Sequence, residues 1–209
     1  MHIALKAAAL VAALALGGCG RTSATPGLAA VGASAGPVAQ HFEITVDGKT
    51  MVLSPDNPTV SLVLAAVMHG ATGLSLSAHD KANNLGFTLM VADSPIAPGD
   101  FPIGECGETG ACTTRSKTAG LTTYPDGGVP DPASAVFAYD YPELGLKPAV
   151  LTLEKIDDVV WPGVGPAKRL RGTFKGGFAR LERGADARVH VVGPVRQIEG
   201  RFDMYAALR

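Results

Sequence analysis

From His41 onward, apolar and polar residues alternate in short runs, and turn-forming residues stop each run within about 8 to 12 positions. A two-residue period suits a half-buried strand and misaligns on a helix. His41 to Val46 sets Phe42, Ile44 and Val46 on one face and His41, Glu43 and Thr45 on the other. Asp47-Gly48 follows, then Lys49 to Leu53, which predicts a β-hairpin. Thr59 to Met68 is strongly apolar and fits either a buried strand or one helix; the strand is preferred. Leu74 to His79, the turn Lys81 to Asn84, and Leu85 to Val91 predict a second hairpin. Ser94 to Pro102 reads as a proline-punctuated crossing segment, and Thr113 to Pro132 as a long loop suited to a binding surface. Ala135 to Tyr141 predicts a short strand with Phe137, Tyr139 and Tyr141 on one side, and Ala149 to Ile156 predicts another.

The end of the chain repeats a motif. Leu170-Arg171-Gly172-Thr173-Phe174 and Ile198-Glu199-Gly200-Arg201-Phe202 share the form apolar-x-Gly-x-Phe. Alternation puts the aliphatic residue, the glycine and the ring on one face. A glycine between two large inward side chains leaves room for a neighbouring ring or marks a bulge. Arg169, Arg171, Thr173 and Lys175 then point to solvent, as do Glu199, Arg201 and Asp203. About eight or nine short strands, 26 Gly, 15 Pro and no convincing long helix predict an all-β domain: an antiparallel β-sandwich or barrel.

The N terminus is different. Lys6 precedes an apolar run from Ala7 to Leu16, about 15 Å long as a helix and too short for a bilayer core of about 30 Å. A basic start, a short apolar core and small residues read as a secretory signal. The run ends in Leu16-Gly17-Gly18-Cys19, which resembles the lipobox of bacterial lipoproteins. That resemblance implies cleavage before Cys19, a diacylglyceryl thioether on its sulfur, and a further acyl chain such as palmitate on its amino group. Several chains anchor stably where one is marginal. Gly20, rather than Asp, favours the outer membrane over inner-membrane retention. The predicted organisation is a signal peptide over 1–18, the lipidated Cys19 with a flexible tether over 19–40, and a β domain over 41–209. Within the tether, Gly32-Ala33-Ser34-Ala35-Gly36 matches a nucleophile-elbow pattern but lacks its strand and helix, so no catalytic serine is assigned.

With Cys19 given to lipid, Cys106 and Cys112 remain and are expected to form one disulfide in an exported protein. The net charge is −1 but is unevenly spread. Lys81 to Val160 holds 5 basic and 11 acidic residues, and Trp161 to Arg209 holds 10 basic and 4 acidic. The simpler reading is strands that complement each other; the sharper one is a basic face toward an anionic partner. A slightly acidic exported chain is not expected to bind nucleic acid. His41, His69, His79 and His190 show no metal-ligand spacing, and the acids near Asp126 and Asp131 lack a calcium-loop pattern, so neither metal nor cofactor is expected.

The late layout runs from an acidic strand, Leu151 to Asp158, through the Gly-Thr-Phe strand to the final Gly-x-Phe strand. It resembles small β-sandwich domains of unknown function common among bacterial lipoproteins. That likeness implies a fold and no activity. The expected function is a binding or interaction module of the cell envelope, anchored in the outer membrane and facing the periplasm or the surface. Its partner would be an envelope protein, a glycan or a small ligand. Arg169, Arg171, Lys175, Tyr139 and Tyr141 are its candidate binding surface. The alternative is an envelope hydrolase, acting on a glycan or an ester, whose catalytic residues meet only in three dimensions. No catalytic residue is assigned.

Overall fold

The computed structural model describes residues 39–56, 61–92, 94–106, 117–123 and 131–208. The described residues all fall in one compact unit, Gly36–Arg209. Cys19 and its lipobox, the Gly32 to Gly36 motif, most of the predicted tether and Cys112 lie outside the described residues.

Among the described residues the strands are β1 (His41–Val46), β2 (Lys49–Leu53), β3 (Ser61–Val67), β4 (Leu74–Asp80), β5 (Leu85–Val91), β6 (Gly99–Ile103), β7 (Glu105–Cys106), β8 (Lys117–Thr123), β9 (Val136–Asp140), β10 (Ala149–Trp161), β11 (Gly165–Arg183) and β12 (Val189–Leu208). Short 3-10 turns are the only helical pieces among them.

The long hairpin of β11 and β12 is the spine. Its ladder runs from Ala167 opposite Ala207 to Arg183 opposite Val189. On its first half, β1 joins the far side of β12 and β10 joins the far side of β11. With β2 beyond β1 and β6 beyond β10, this makes one antiparallel layer, β2-β1-β12-β11-β10-β6. Further along, each spine strand takes a second neighbour on that same side. β3 pairs with Ala207 and Leu208 of β12, and β9 pairs with Phe178 and Ala179 of β11. The run β3-β4-β5-β8-β9 connects those two corners. The sheet therefore closes on itself, with β2-β1 and β10-β6 as flaps, and the all-β domain is both sandwich and barrel. Ladder irregularities mark the strain points, at Glu154 in β10 and between Phe178 and Arg180 in β11.

Several predicted elements form as expected. Asp47 and Gly48 have φ of 49° and 81°, the two positive values a two-residue primed hairpin turn needs. Phe42, Ile44 and Val46 are buried, as are Leu74, Leu76 and Ala78. The Thr59 to Met68 run contains β3 rather than a helix. Three readings need correction. The sheet is not purely antiparallel, because β12–β3 and β7–β9 pair in parallel. The predicted loop from Thr113 to Pro132 contains β8, a strand between β5 and β9. Ala119, Gly120 and Leu121 are buried in succession there, so β8 shows no alternation to read. The proline-rich crossing segment ends in β6, which tolerates Pro102 because it is an edge strand.

The core joins the two layers through rings. Phe87 of β5 stacks on Phe174 of β11 with centroids 4.5 Å apart, and Phe42 of β1 lies 6.0 Å from Phe174. The repeated motif explains why these rings fit. Gly172 lies opposite Phe202, and Phe174 opposite Gly200. Each glycine is two residues before its phenylalanine, so an antiparallel register that satisfies one pair satisfies the other. A Cβ at Gly200 would meet Phe174 Cζ, and one at Gly172 would lie 2.9 Å from Phe202 Cζ. Each strand leaves a gap that its neighbour's ring occupies.

Candidate functional site

The outward residues of the same layer form cross-strand rows. Register places Thr50, Thr45, Glu199, Lys175 and Val150 in one row. Glu43, Arg201, Thr173, Thr152 and Asp100 make the next. His41, Asp203, Arg171 and Lys155 make a third. A shallow trough of about 630 Å³ lies over the third row, lined by His41, Glu154, Arg171, Thr173, Arg201 and Asp203. It continues along the spine past Thr45, Lys175 and Glu199.

Most cations on this face are already paired. Arg169 donates from Nε to Asp203 Oδ1 at 2.6 Å and from Nη2 to Oδ2 at 2.8 Å. This two-pronged bond raises the Arg169 pKa further, although partial burial opposes it. Arg201 Nη2 donates to Glu43 Oε2 at 2.9 Å. Lys155 Nζ reaches Asp157 Oδ2 at 2.7 Å, and on the opposite side of the strand Lys168 Nζ reaches Asp158 Oδ1 at 2.7 Å. Of these contacts Lys168–Asp158 joins the acidic stretch to the basic one, whereas Arg169–Asp203 lies within the basic stretch and Lys155–Asp157 within the acidic one.

Arg171 and Lys175 differ. Arg171 stands 3.9 Å from Asp157 and 3.9 Å from Asp203, beyond hydrogen-bond length to either. Lys175 is exposed and makes no hydrogen bond or ion pair among the described residues. Glu199, opposite Lys175 in the ladder, makes none either. The trough thus presents two cations not held in a close pair and one such carboxylate, beside the hydroxyls of Thr45 and Thr173.

Of the five predicted surface residues, Arg169, Arg171 and Lys175 share this face. Tyr139 and Tyr141 do not line the trough. Tyr141 is buried with Leu146 and Ala179 in a second apolar cluster, and Tyr139 packs against it with Leu181, Val189 and Val191. Burial, and then the charge of Glu105, push the Tyr139 hydroxyl up to about 12. Burial also raises the Glu105 carboxyl. Cys106 ends β7, in register with Asp140. Among the described residues no three His, Cys, Asp or Glu side chains gather to hold a metal.

Sequence reasoning left out Glu43 and Thr152, which complete the rows. The signal was present in the alternation of β1 and β10, but only the register shows which rows they join. Comparison with protein families, with curated proteins and with solved structures found no match.

Proposed function

We propose that this chain is a bacterial outer-membrane lipoprotein, acylated at Cys19, whose β domain is a binding module of the cell envelope. The lipobox-like Leu16-Gly17-Gly18-Cys19 supports the anchor. In the oxidising envelope, Cys106 and Cys112 pair as a disulfide. The observation that carries the binding reading is the contrast along one trough. Arg169 and Arg201 are held by carboxylates, while Arg171 and Lys175 stay outside close pairs. Cations not held in close pairs on a fixed sheet face can complete their pairing with a partner at little cost in order. The partner this suits best is an envelope protein that presents carboxylates along an extended segment.

The test is fractionation followed by capture. Wild-type protein sediments with membranes, and Cys19→Ala releases it to the soluble fraction; membrane retention of that variant sinks the anchor. Crosslinking of the lipidated protein in intact envelopes yields one dominant protein partner, which is lost in Arg171→Glu/Lys175→Glu. Capture that is unchanged in the double variant removes the trough from the reading. No protein capture moves the assignment to a glycan or a small ligand.

A further inference from the structure

The hairpin that joins β10 to β11 is exposed and apolar. From Val159 to Ala167 it carries no charged residue. Pro162 and Gly163 form a tight turn, with Gly163 at φ 78° and Val164 N–H donating to Trp161 C=O at 3.0 Å. Val160 is 75% exposed and Val164 59%. Leu208, just past the Ala207–Ala167 pair, adds a third apolar side chain at 49%. Behind the tip, Trp161 stacks on Tyr205 at 5.4 Å. The charges that flank the hairpin in sequence, Asp158 and Lys168, pair at 2.7 Å.

The described chain enters the fold at this same end. His41, the first residue of β1, lies opposite Asp203, and β12 continues from there through Tyr205 to Ala207 beside the tip. Gln40 Oε1 accepts a hydrogen bond from Tyr205 N–H at 2.9 Å. About twenty residues separate Cys19 from Gln40. Such a length spans about 70 Å even when fully extended. A lipid on Cys19 therefore keeps Gln40, and with it this end of the domain, within that distance of the bilayer.

The geometry points to a second membrane contact: the Val159–Val164 hairpin tip seats in the phospholipid interface and holds the tether end of the domain against the bilayer. The inference rests on the Cys19 anchor proposed above. The chemistry fits a lipid surface. The tip is small and uncharged, its aliphatic side chains gain by leaving water, and tryptophan favours the headgroup level, where one side of the ring is apolar and the other wet. So small an apolar tip buries too little area to anchor the domain alone, and it acts by orienting a domain that the acyl chains already hold.

Trp161 is the only tryptophan in the chain, so it reports on the tip directly. The lipidated protein, purified from membranes, is reconstituted into phosphatidylethanolamine–phosphatidylglycerol vesicles with bromine on the upper acyl carbons. Trp161 emission is quenched relative to unbrominated vesicles. Val160→Asp/Val164→Asp, at two exposed positions, still floats with the vesicles and loses the quenching. Wild-type protein that floats without quenching overturns the tip contact and leaves the anchor standing. Equal quenching in the double variant also overturns it, because tethering alone would then explain the signal. Wild-type protein that fails to float overturns both.

Discussion

The two faces of the β11–β12 hairpin are built from the same residues in alternation, yet they are held by different physics. The inner face interlocks by shape, with Phe174 over Gly200 and Phe202 over Gly172. The outer face is matched by charge, with Arg169 on Asp203 and Arg201 on Glu43. Burying a phenylalanine contributes about 2–3 kcal/mol, and a close fit is lost if either partner changes. A half-exposed ion pair contributes about 0–1 kcal/mol, and water replaces it readily. The inner face therefore fixes the register. The outer face can leave Lys175 and Arg171 loosely held because stability does not depend on them.

The strongest way to break that division is to fill one glycine gap. A Cβ at Gly200 meets the Phe174 ring on one side and the Glu43 carbonyl oxygen on the other. The ring can turn but the backbone cannot. Gly200→Ala is expected to cost about 3 kcal/mol, read as a lower denaturant midpoint with an unchanged slope. Adding Phe174→Leu to Gly200→Ala removes the ring clash and recovers part of the loss. The two changes are therefore expected to be far from additive. Strict additivity would show that ring and glycine do not share one space.

That interlock was legible because its spacing is local. Gly172 and Phe174 are two residues apart, and so are Gly200 and Phe202, so a reader of either strand sees both the gap and the ring. The outer face was half legible. The alternation of Arg169, Arg171, Thr173 and Lys175 is plain, but their partners depend on which strands lie alongside. Glu43 sits 158 positions from Arg201, and no local pattern links them. The closure of the sheet was not legible, because β12 meets β3 through two residue pairs alone, Ala207 with Ala66 and Leu208 with Val67. The surroundings of Tyr139 were hidden for a related reason. It alternates as a surface residue of β9, yet a second cluster, partly from the far end of the long hairpin, covers it.

A smaller effect sharpens the charge side of the comparison. In a double-mutant cycle of Arg169→Ala and Asp203→Ala, the coupling is expected near 1 kcal/mol, since the bond is two-pronged and partly buried. Asp203→Ala alone should cost more than the coupling, because Arg169 loses its two-pronged acceptor and is left sharing Asp157 with Arg171. Coupling of about 3 kcal/mol or more would place the outer face on a par with the inner one and end the contrast. The cycle is read from chemical unfolding at neutral pH, at low and at high salt, with most of the coupling surviving salt.

The smallest effect lies where a surface charge grips backbone. Asp47, in the β1–β2 turn, accepts Arg196 Nε at 2.7 Å on one carboxylate oxygen and Gln197 N–H at 2.9 Å on the other. The Arg196 hydrogen bond holds its carboxyl below the ordinary value of 3.8, against some desolvation. A lowered folded-state pKa means the charged form is favoured by folding. That contribution is complete above pH 3.8 and disappears as pH falls through the folded value. The group is largely solvated, so screening limits it to about 0.5 kcal/mol. Asp47→Asn should therefore be slightly less stable than wild type at pH 7, and the gap should close toward pH 2. A gap that stays constant across that range would mean the turn is held by its backbone bonds and its positive φ alone. The carboxylate would then matter by shape, like the inner face, rather than by charge.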